Sequence, residues 1–310
     1  MDTHRASSGQ VRAALPLLAF AGIVLLIGSN IVAIRLSNRE LPPLWGAGAR
    51  FLVAAGLFLV LMQVRGLRFP RGRSLLGSVL FGLTGIAAYF AFVYWGLVEV
   101  GAAYGQVLLS LVPLTTFFLA LAQGLERFRW PAVAGAIVTV AGIATIFHQQ
   151  AGQVVSALSL LALLAAAVCA AQAGIILKLY PPESLLAANT VAMSFGAAIL
   201  IALSVASGET PVLPARPETW AAFAFLSTIG TVGTFLLVMY LLRHWSASAA
   251  SYQYVLAPVV ALALAAIVLG ERVGADFFVG GALVLSGVYL GAILQGRGVP
   301  RRRRDKPRRH

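Results

Sequence analysis

Uncharged polar side chains recur inside long apolar stretches of this 310-residue chain. An amide or hydroxyl group without a hydrogen-bond partner in an apolar surrounding costs roughly 2–7 kcal/mol, so each one faces a neighbouring helix or a wet cavity. A cavity lined in this way holds a small polar molecule through hydrogen bonds. The candidates for such a lining are Asn30, Gln106, Ser110, Gln172, Thr231 and Gln253.

Each of these residues also has a purely structural interpretation. Plain hydrogen bonding between helices explains Asn30, Gln106 and Gln172 as well as cavity lining does. Thr231 belongs to a stripe of threonines, and threonine hydroxyls often bond back to a carbonyl of their own helix. The residue types alone leave the alternatives for the three amides open, whereas for Thr231 the bond to its own helix is the favoured interpretation.

Aromatic side chains add candidate stacking surfaces to the same cavity. Tyr89 lies past the middle of the third apolar stretch, where its ring can form a wall. Trp95 follows near the outer end of that stretch, so an aromatic belt at a membrane surface is the alternative. Tyr254, near the start of the ninth stretch, has the same two interpretations.

Arg50 is the one charged residue that lies several positions inside an apolar stretch. Its fork of N–H groups matches a carboxylate, which makes it a candidate anchor for an anionic group of a substrate. It also lies only about 10 Å from the end of its helix, within reach of the interface. Structural anchoring at that interface is the favoured interpretation.

Two prolines inside apolar stretches predict local breaks in helices. Pro113 and Pro258 lack the N–H that would bond the carbonyls of Leu109 and Tyr254, so those carbonyls become available near a cavity. A kink that only improves packing explains each proline equally well. Their occurrence at matching places favours a role in gating.

Groups for acid–base or metal chemistry are missing from the apolar stretches. The ten acidic residues and four histidines fall at stretch ends, in loops or in tails, and Cys169 is the one cysteine. This placement disfavours a membrane-embedded enzyme, a metal site, any bound cofactor and a buried proton relay. Glu126 and Glu271 are expected to cap the helices that follow them.

The elements that position these residues are predicted to be ten transmembrane helices. The chain is 60% hydrophobic and 11% charged, and runs of about 18 or more apolar residues are typical of membrane spans. The predicted spans are Leu15–Ile34, Leu44–Met62, Leu75–Gly96, Ala102–Leu121, Ala132–Phe147, Ala157–Leu177, Leu185–Ala206, Trp220–Leu242, Ala249–Leu269 and Phe277–Leu294.

The basic residues predict an orientation for these spans. With both termini in the cytoplasm, 18 of the 23 Lys and Arg fall in inner segments and 4 in outer loops. This asymmetry fits the positive-inside rule and an even number of crossings. The basic tail 297–310 is expected to bind anionic lipid rather than nucleic acid, despite a net charge of +13.

A constant offset of 145 residues relates the two halves of the chain. Pro113 recurs as Pro258, Glu126-Arg127 as Glu271-Arg272, and Gly85, Gly135 and Gly142 as Gly230, Gly280 and Gly287. We therefore predict a first five-helix repeat over 1–150 and a second over 151–296. Because five is odd, the second repeat is inverted in the membrane, and a cavity is expected between the two.

These motifs resemble those of the EamA-type drug/metabolite transporter superfamily. In that family each half has a proline in its fourth helix, an acidic turn and a glycine-spaced fifth helix. Gly28-Ser29-Asn30 with Arg35 resembles the family's first helix, and Arg50-Phe51 its second. Leu125 departs from the pattern, since Gly270 precedes the acid in the second half.

The resemblance implies a ten-helix carrier of the bacterial inner membrane that works by alternating access. Together with the lining above, it indicates export of a small zwitterionic or neutral metabolite, with amino acids, including aromatic ones, favoured. Export of nucleosides or drug-like compounds is the alternative, and a membrane-embedded enzyme or a receptor is disfavoured. Transport is expected to be facilitative, by a monomer or a homodimer.

Overall fold

The protein is described by a computed structural model that covers residues 3–148, 156–244, 253–272 and 274–293. Within these ranges the chain forms helices and no β-strand. Seven of the helices are long and apolar enough to cross a membrane, and three shorter ones are also apolar. In chain order they are α1 Thr3–Ser37, α2 Pro43–Val64, α3 Gly72–Gly96, α4 Ala102–Ala122, α5 Trp130–His148, α6 Ala157–Leu179, α7 Leu185–Ala206, α8 217–244, α9 Gln253–Leu269 and α10 275–293.

The helices coincide with the predicted apolar stretches, with differences at their ends. Helix α1 begins at Thr3, earlier than the apolar run that predicted it. The predicted start of the ninth stretch at Ala249, the last residue of the tenth at Leu294 and the basic tail 297–310 lie outside the described residues.

Local signals set several helix boundaries. Proline occupies the first turn of α2 and of α8, where its missing N–H has no intrahelical partner to lose. The Ser156 hydroxyl accepts hydrogen bonds from the backbone of Leu158 and Ser159 and so caps α6. Gly270, with φ of 68°, ends α9 in a left-handed conformation that other residues rarely adopt.

Helix α4 is broken near its centre, as its proline predicts. One segment runs from Ala102 to Leu109, and a second from Val112 to Ala122 begins with Pro113 in its first turn. Proline has no N–H to continue the helical ladder, so the backbone turns at 110–111 before the helix resumes. Pro258 differs, because α9 remains α-helical around it up to Leu264.

The helices pack as a bundle in which α2 lies along α7, α5 along α10, and α1 against α8 and α9. Helices α3 and α4 both pack on α6. Large apolar side chains such as Leu52, Val60 and Ile267 point outward and are exposed. An outward apolar surface around a polar-containing centre is what a lipid surrounding requires.

Glycines bring α5 and α10 into backbone contact. A methyl group added at Gly142 would lie 2.7 Å from the carbonyl oxygen of Gly280, and one at Gly280 would lie 2.6 Å from that of Gly142. Gly135 and Gly287 oppose each other in the same way, each 2.5 Å from the other's carbonyl oxygen when a methyl group is added. Small residues allow this close approach of helices in lipid.

Two helices lose regular α-geometry where they pass the centre of the bundle. Helix α3 contains a π-helical segment at Gly82–Ala88, and α8 contains one at Ile229–Gly233 after an irregular residue at Thr228. The 145-residue offset relates these two segments. Such π segments are frequent at functional sites because they redirect side chains and free backbone carbonyls.

Candidate functional site

A cavity of about 310 Å³ lies at the centre of the bundle. Helices α1, α2, α3, α4, α6, α8 and α9 all contribute to its wall, so both halves of the chain enclose it. Its volume falls at the lower end of the range for small-molecule sites, roughly 300–1,000 Å³. The predicted site residues in the wall are Asn30, Arg50, Tyr89, Gln106, Gln253 and Tyr254.

Arg50 supplies a buried positive charge to this wall. Its side chain is 1% exposed, its Nε donates to Thr231 Oγ1 at 2.9 Å, and Nη1 lies 3.5 Å from the Tyr94 hydroxyl. The rings of Phe51 and Phe90 lie 4.9 and 5.0 Å from the guanidinium carbon. The interface position that the sequence favoured is therefore not observed, because the guanidinium points into the protein.

Asn30 lies next to Arg50 around the π-helical segment of α8. Its Nδ2 donates to the Gly230 carbonyl at 2.8 Å, and Thr231, the following residue, accepts from Arg50. The carbonyl of Gly230 also accepts from Thr234 Oγ1 at 2.8 Å. The irregular backbone thus holds an amide at one residue and a guanidinium at the next.

Three amide oxygens in the cavity wall have no hydrogen-bond partner. They are Asn30 Oδ1, Gln106 Oε1 and Gln253 Oε1, and all three are buried. A buried acceptor without a partner is unfavourable, because its desolvation is not compensated. Because all three oxygens are closed even to water, a bound donor reaches one of them only when its side chain turns toward the cavity.

Aromatic rings complete the wall. Tyr89 meets Phe90 edge-to-face with ring centroids 4.6 Å apart, and Phe235 and Tyr254 line the cavity from α8 and α9. Residue-type reasoning missed Phe90 and Phe235. The 145-residue offset relates these two phenylalanines, as it does Gly85 and Gly230, which also line the cavity. The 145-residue offset was the sequence signal that could have identified both phenylalanines.

The other predicted site residues lie outside the cavity. Trp95 is 47% exposed, and Ser110 is fully buried with its hydroxyl donating to the Val107 carbonyl at 2.6 Å. The amide oxygen of Gln172 accepts from Gln123 at 2.7 Å. Thr231 lies behind Arg50, as a support for the guanidinium. Pro113 and Pro258 are also absent from the wall.

The wall contains a charged donor and neutral acceptors, and no carboxylate among the described residues that form it. Across the described ranges, no group of three or more His, Cys, Asp or Glu residues could hold a metal ion. The arrangement can bind and orient a small molecule that has both acceptor and donor groups.

Comparison with known proteins agrees with this arrangement. The EamA-like transporter family matches residues 14–148 and again residues 157–292. A probable terminal-alkyne amino-acid exporter of Streptantibioticus cattleyicolor is 30% identical over 256 residues, covering 78% of this chain and 81% of that protein. The inner membrane transporter YedA of Escherichia coli is 29% identical, covering 84% and 85%.

One further relative and one solved structure are similar over most of their length. A probable amino-acid metabolite efflux pump of Escherichia coli is 27% identical, covering 86% of this chain and 91% of that protein. A crystal structure with 20% sequence identity superimposes with a TM-score of 0.64, covering 91% of this chain and 98% of that one, which shows the fold alone. The named relatives are transporters, not enzymes. With two matches that together span most of its length, this chain is a membrane protein that belongs to the EamA-like transporter family.

Proposed function

We propose that this protein exports small zwitterionic or neutral metabolites, with amino acids, aromatic ones included, as the favoured substrates. The observation that supports the proposal is the central cavity, where a guanidinium and three amide side chains line the wall among aromatic rings. Amides, a guanidinium and aromatic faces suit a molecule with a carboxylate, an ammonium and an apolar side chain. The names of two relatives, an amino-acid exporter and an amino-acid metabolite efflux pump, support the same substrate class.

Alternating access between two inverted five-helix repeats, 1–150 and 151–296, is the proposed mechanism. The double family match supports two copies of one unit. The glycine contacts support a two-fold relation, because exchanging each glycine for its 145-offset partner converts the Gly135–Gly287 contact into the Gly280–Gly142 contact. A cavity shared by the repeats then opens to one membrane side at a time.

The proposal includes a cellular location and a mode of transport. The chain is placed in a bacterial inner membrane with both termini cytoplasmic, as a monomer or homodimer, with the tail 297–310 on anionic lipid. The inner-membrane relative from Escherichia coli supports the location. Transport is proposed to be facilitative, because the carboxylates of the described residues lie outside the cavity wall.

Counterflow in proteoliposomes tests this function. Vesicles loaded with unlabelled phenylalanine should accumulate labelled phenylalanine, whereas vesicles without protein should not. Nucleosides and planar drug-like cations form the competing panel, because aromatic walls also accept them. Accumulation of labelled nucleoside or drug without any amino acid counterflow would refute the amino-acid proposal. Loss of counterflow on abolishing a pH gradient would refute the facilitative mechanism.

A further inference from the structure

We propose that Arg50 binds the carboxylate of the substrate, while Asn30 and Gln106 turn their amide oxygens toward the cavity to accept hydrogen bonds from its ammonium group. This inference rests on the proposed function and sharpens its substrate class. The site then selects molecules whose carboxylate and amine are attached to the same carbon atom, and it rejects amines that have no carboxylate.

The first argument is the missing counter-ion of Arg50. The side chain is 1% exposed, and its hydrogen-bonding contacts, Thr231 Oγ1 and the Tyr94 hydroxyl, are neutral. The ion pairs within the described residues involve Arg35, Arg129 and Arg216 instead. A buried charge without a partner is strongly unfavourable, so a site of this kind is completed by an anionic ligand.

The second argument is the direction of the guanidinium donors. Nε is occupied by Thr231, which fixes the plane of the group, while the rings of Phe51 and Phe90 pack near it. Arg50 lines the cavity, so its terminal N–H groups are available there. A guanidinium offers a fork of parallel donors that matches both oxygens of a carboxylate.

The third argument is the position of the acceptors. Asn30 bonds the Gly230 carbonyl and Arg50 bonds the adjacent Thr231, so the two side chains contact neighbouring residues of α8, with Oδ1 of Asn30 packed against Gly230. Gln106 lines the same cavity with its Oε1 buried and unpartnered. A guanidinium and two amides in one cavity wall match the carboxylate and ammonium of an α-amino acid.

Counterflow of three phenyl compounds tests this site. The wild-type protein should exchange phenylalanine and discriminate against phenylalaninamide and phenethylamine, which lack the carboxylate. Arg50→Gln should raise the half-saturation concentration for phenylalanine about tenfold or more, because a charge-assisted hydrogen bond is lost. Arg50→Lys keeps the charge without the fork of donors, so its half-saturation concentration should lie between those of the wild type and Arg50→Gln. Lys178→Gln, which removes an exposed cation outside the cavity, should match the wild type.

The outcomes separate the inference from the function on which it rests. No exchange of any amino acid by the wild type would refute the proposed function. If Arg50→Gln still exchanges phenylalanine and prefers it over phenethylamine as strongly as the wild type does, the role of Arg50 is refuted. The proposed function would then still stand. If Arg50→Gln fails to fold, competition on the wild type decides: inhibition by phenylalaninamide as strong as by phenylalanine would overturn the inference.

A separate set of contacts closes one end of the bundle. Four glutamates at this end each accept hydrogen bonds at the start of a helix that is remote in sequence; they are Glu40, Glu99, Glu209 and Glu271. We call this end of the bundle the carboxylate face. Glu271 accepts from the backbone N–H of Ala102 and Ala103 at 3.0 and 3.4 Å, at the start of α4. The expectation that Glu271 caps α10 is wrong, since the capping position of α10 is Gly274 without a side-chain bond.

The other three glutamates make equivalent contacts. Glu209 accepts from the backbone N–H groups of Leu44 and Trp45 at 3.1 and 2.8 Å, in the first turn of α2. Glu99 accepts from the Ser156 N–H at 3.0 Å and the Ser159 hydroxyl at 2.7 Å, at the start of α6. Glu40 accepts from the backbone N–H groups at 215 and 216, both at 3.1 Å, just before α8.

All four contacts join residues 1–150 to residues 151–296. Each places a carboxylate at the positive end of a helix dipole, where negative charge is stabilised. At the opposite end the contacts between halves include a neutral hydrogen bond from Gln123 to Gln172. Glu126, the 145-offset partner of Glu271, pairs there with Arg129 of its own loop at 3.3 Å.

We infer that these four glutamates form a latch that holds the carboxylate face shut in this state. The cavity reaches Ile34, about 5 Å below that face along α1, and extends to Leu177, two residues before the opposite end of α6. With the latch closed, we expect a substrate to reach Arg50 from the opposite end. Opening at the carboxylate face requires the contacts between the halves to separate.

Site-directed labelling tests the latch. In a Cys169→Ser background, Ile34→Cys places one thiol on the cavity wall three residues from the end of α1. A membrane-impermeant maleimide added to the carboxylate-face side should react several-fold faster after Glu271→Ala than before it. Glu271→Gln should have a smaller effect, since its amide oxygen still accepts hydrogen bonds. Glu218→Gln, at an exposed acid of the same face, should leave the rate unchanged.

The labelling rates also decide which results would contradict the latch. Unchanged rates in Glu271→Ala and in the combined Glu99→Ala, Glu209→Ala variant, each monodisperse on size exclusion, would overturn the latch. An equal increase in Glu218→Gln would do so as well, because the effect would then be one of surface charge. If the alanine variants are not monodisperse, an unchanged rate in Glu271→Gln overturns it.

Discussion

Two neighbouring glycines of α10 provide a sharp test of how the halves of the protein contact each other. A methyl group added at Gly280 would lie 2.6 Å from the Gly142 carbonyl oxygen and 2.9 Å from the Ile146 backbone nitrogen. Both are main-chain atoms that cannot rotate away. A methyl group added at Gly281 meets no atom within 4 Å. Gly280→Ala therefore forces α5 and α10 apart, and Gly281→Ala does not.

The difference between the two variants isolates the cost of that separation. Ordinary contact begins at 3.4 Å, so the helices must move apart by about 0.8 Å at Gly280. Overpacking of this kind costs roughly 1–3 kcal/mol. Both variants gain the same intrinsic helix propensity, up to about 1 kcal/mol, which cancels in the comparison. At roughly 2–4 °C per kcal/mol, Gly281→Ala should melt several degrees above Gly280→Ala.

Thermal unfolding followed by fluorescence-detected size exclusion measures this difference in a single detergent. The expected order of melting temperatures is Gly281→Ala at or above the wild type, then Gly280→Ala clearly below it. Equal melting temperatures for the two variants, or the reverse order, would show that α5 and α10 are not in backbone contact. The same measurement in lipid nanodiscs checks that detergent does not loosen the contact between α5 and α10.

Three further results are expected. Thr231→Val removes the hydroxyl that accepts from Arg50 Nε, so the half-saturation concentration for phenylalanine counterflow should rise roughly tenfold, and an unchanged value would contradict the placement of Arg50. Trp95→Phe should leave counterflow unchanged, because Trp95 lies outside the cavity wall, and a large loss would place it in the site. Hydrogen bonds from the Ser159 hydroxyl and the Ser156 backbone hold the pKa of Glu99 below its ordinary 4.5, so its contribution to stability is complete above 4.5 and is lost as pH falls through the lowered pKa. The gap in melting temperature between the wild type and Glu99→Gln should thus be present at neutral pH and close in acid, and a constant gap would contradict this account.

The helices were predictable because the signals that define them are local. Apolar runs of sufficient length, a proline in the first turn of α2 or α8, and a glycine after α9 act within a few residues of chain. The break in α4 was likewise visible in Pro113, because a missing N–H acts on its own helix. The π-helical segments were not predicted, since their backbone depends on neighbouring helices such as α1, whose Asn30 bonds the Gly230 carbonyl.

The cavity was predictable only in part, because hydropathy does not tell the inner face of a membrane helix from its outer face. In water an amphipathic pattern marks the buried side, but lipid is as apolar as the protein interior. Polar residue type therefore located Asn30, Gln106 and Gln253 in the wall, yet it also selected Ser110 and Gln172, whose partners are in the protein. Phe90 and Phe235 differ in no way from lipid-facing phenylalanines except through the repeat.

The errors at Arg50 and Glu271 have one physical cause. Both residues were interpreted with their own helix or the next one, but their partners lie 181 and 169 residues away. Antiparallel helices joined by short loops bring the starts of α2, α4, α6 and α8 together at one end of the bundle, and each start has unpaired N–H groups with a positive partial charge. A glutamate in any loop at that end therefore finds a remote helix start as readily as its own. On sequence, acids in the loops poor in Lys and Arg are therefore candidates for contacts between the halves of such a chain.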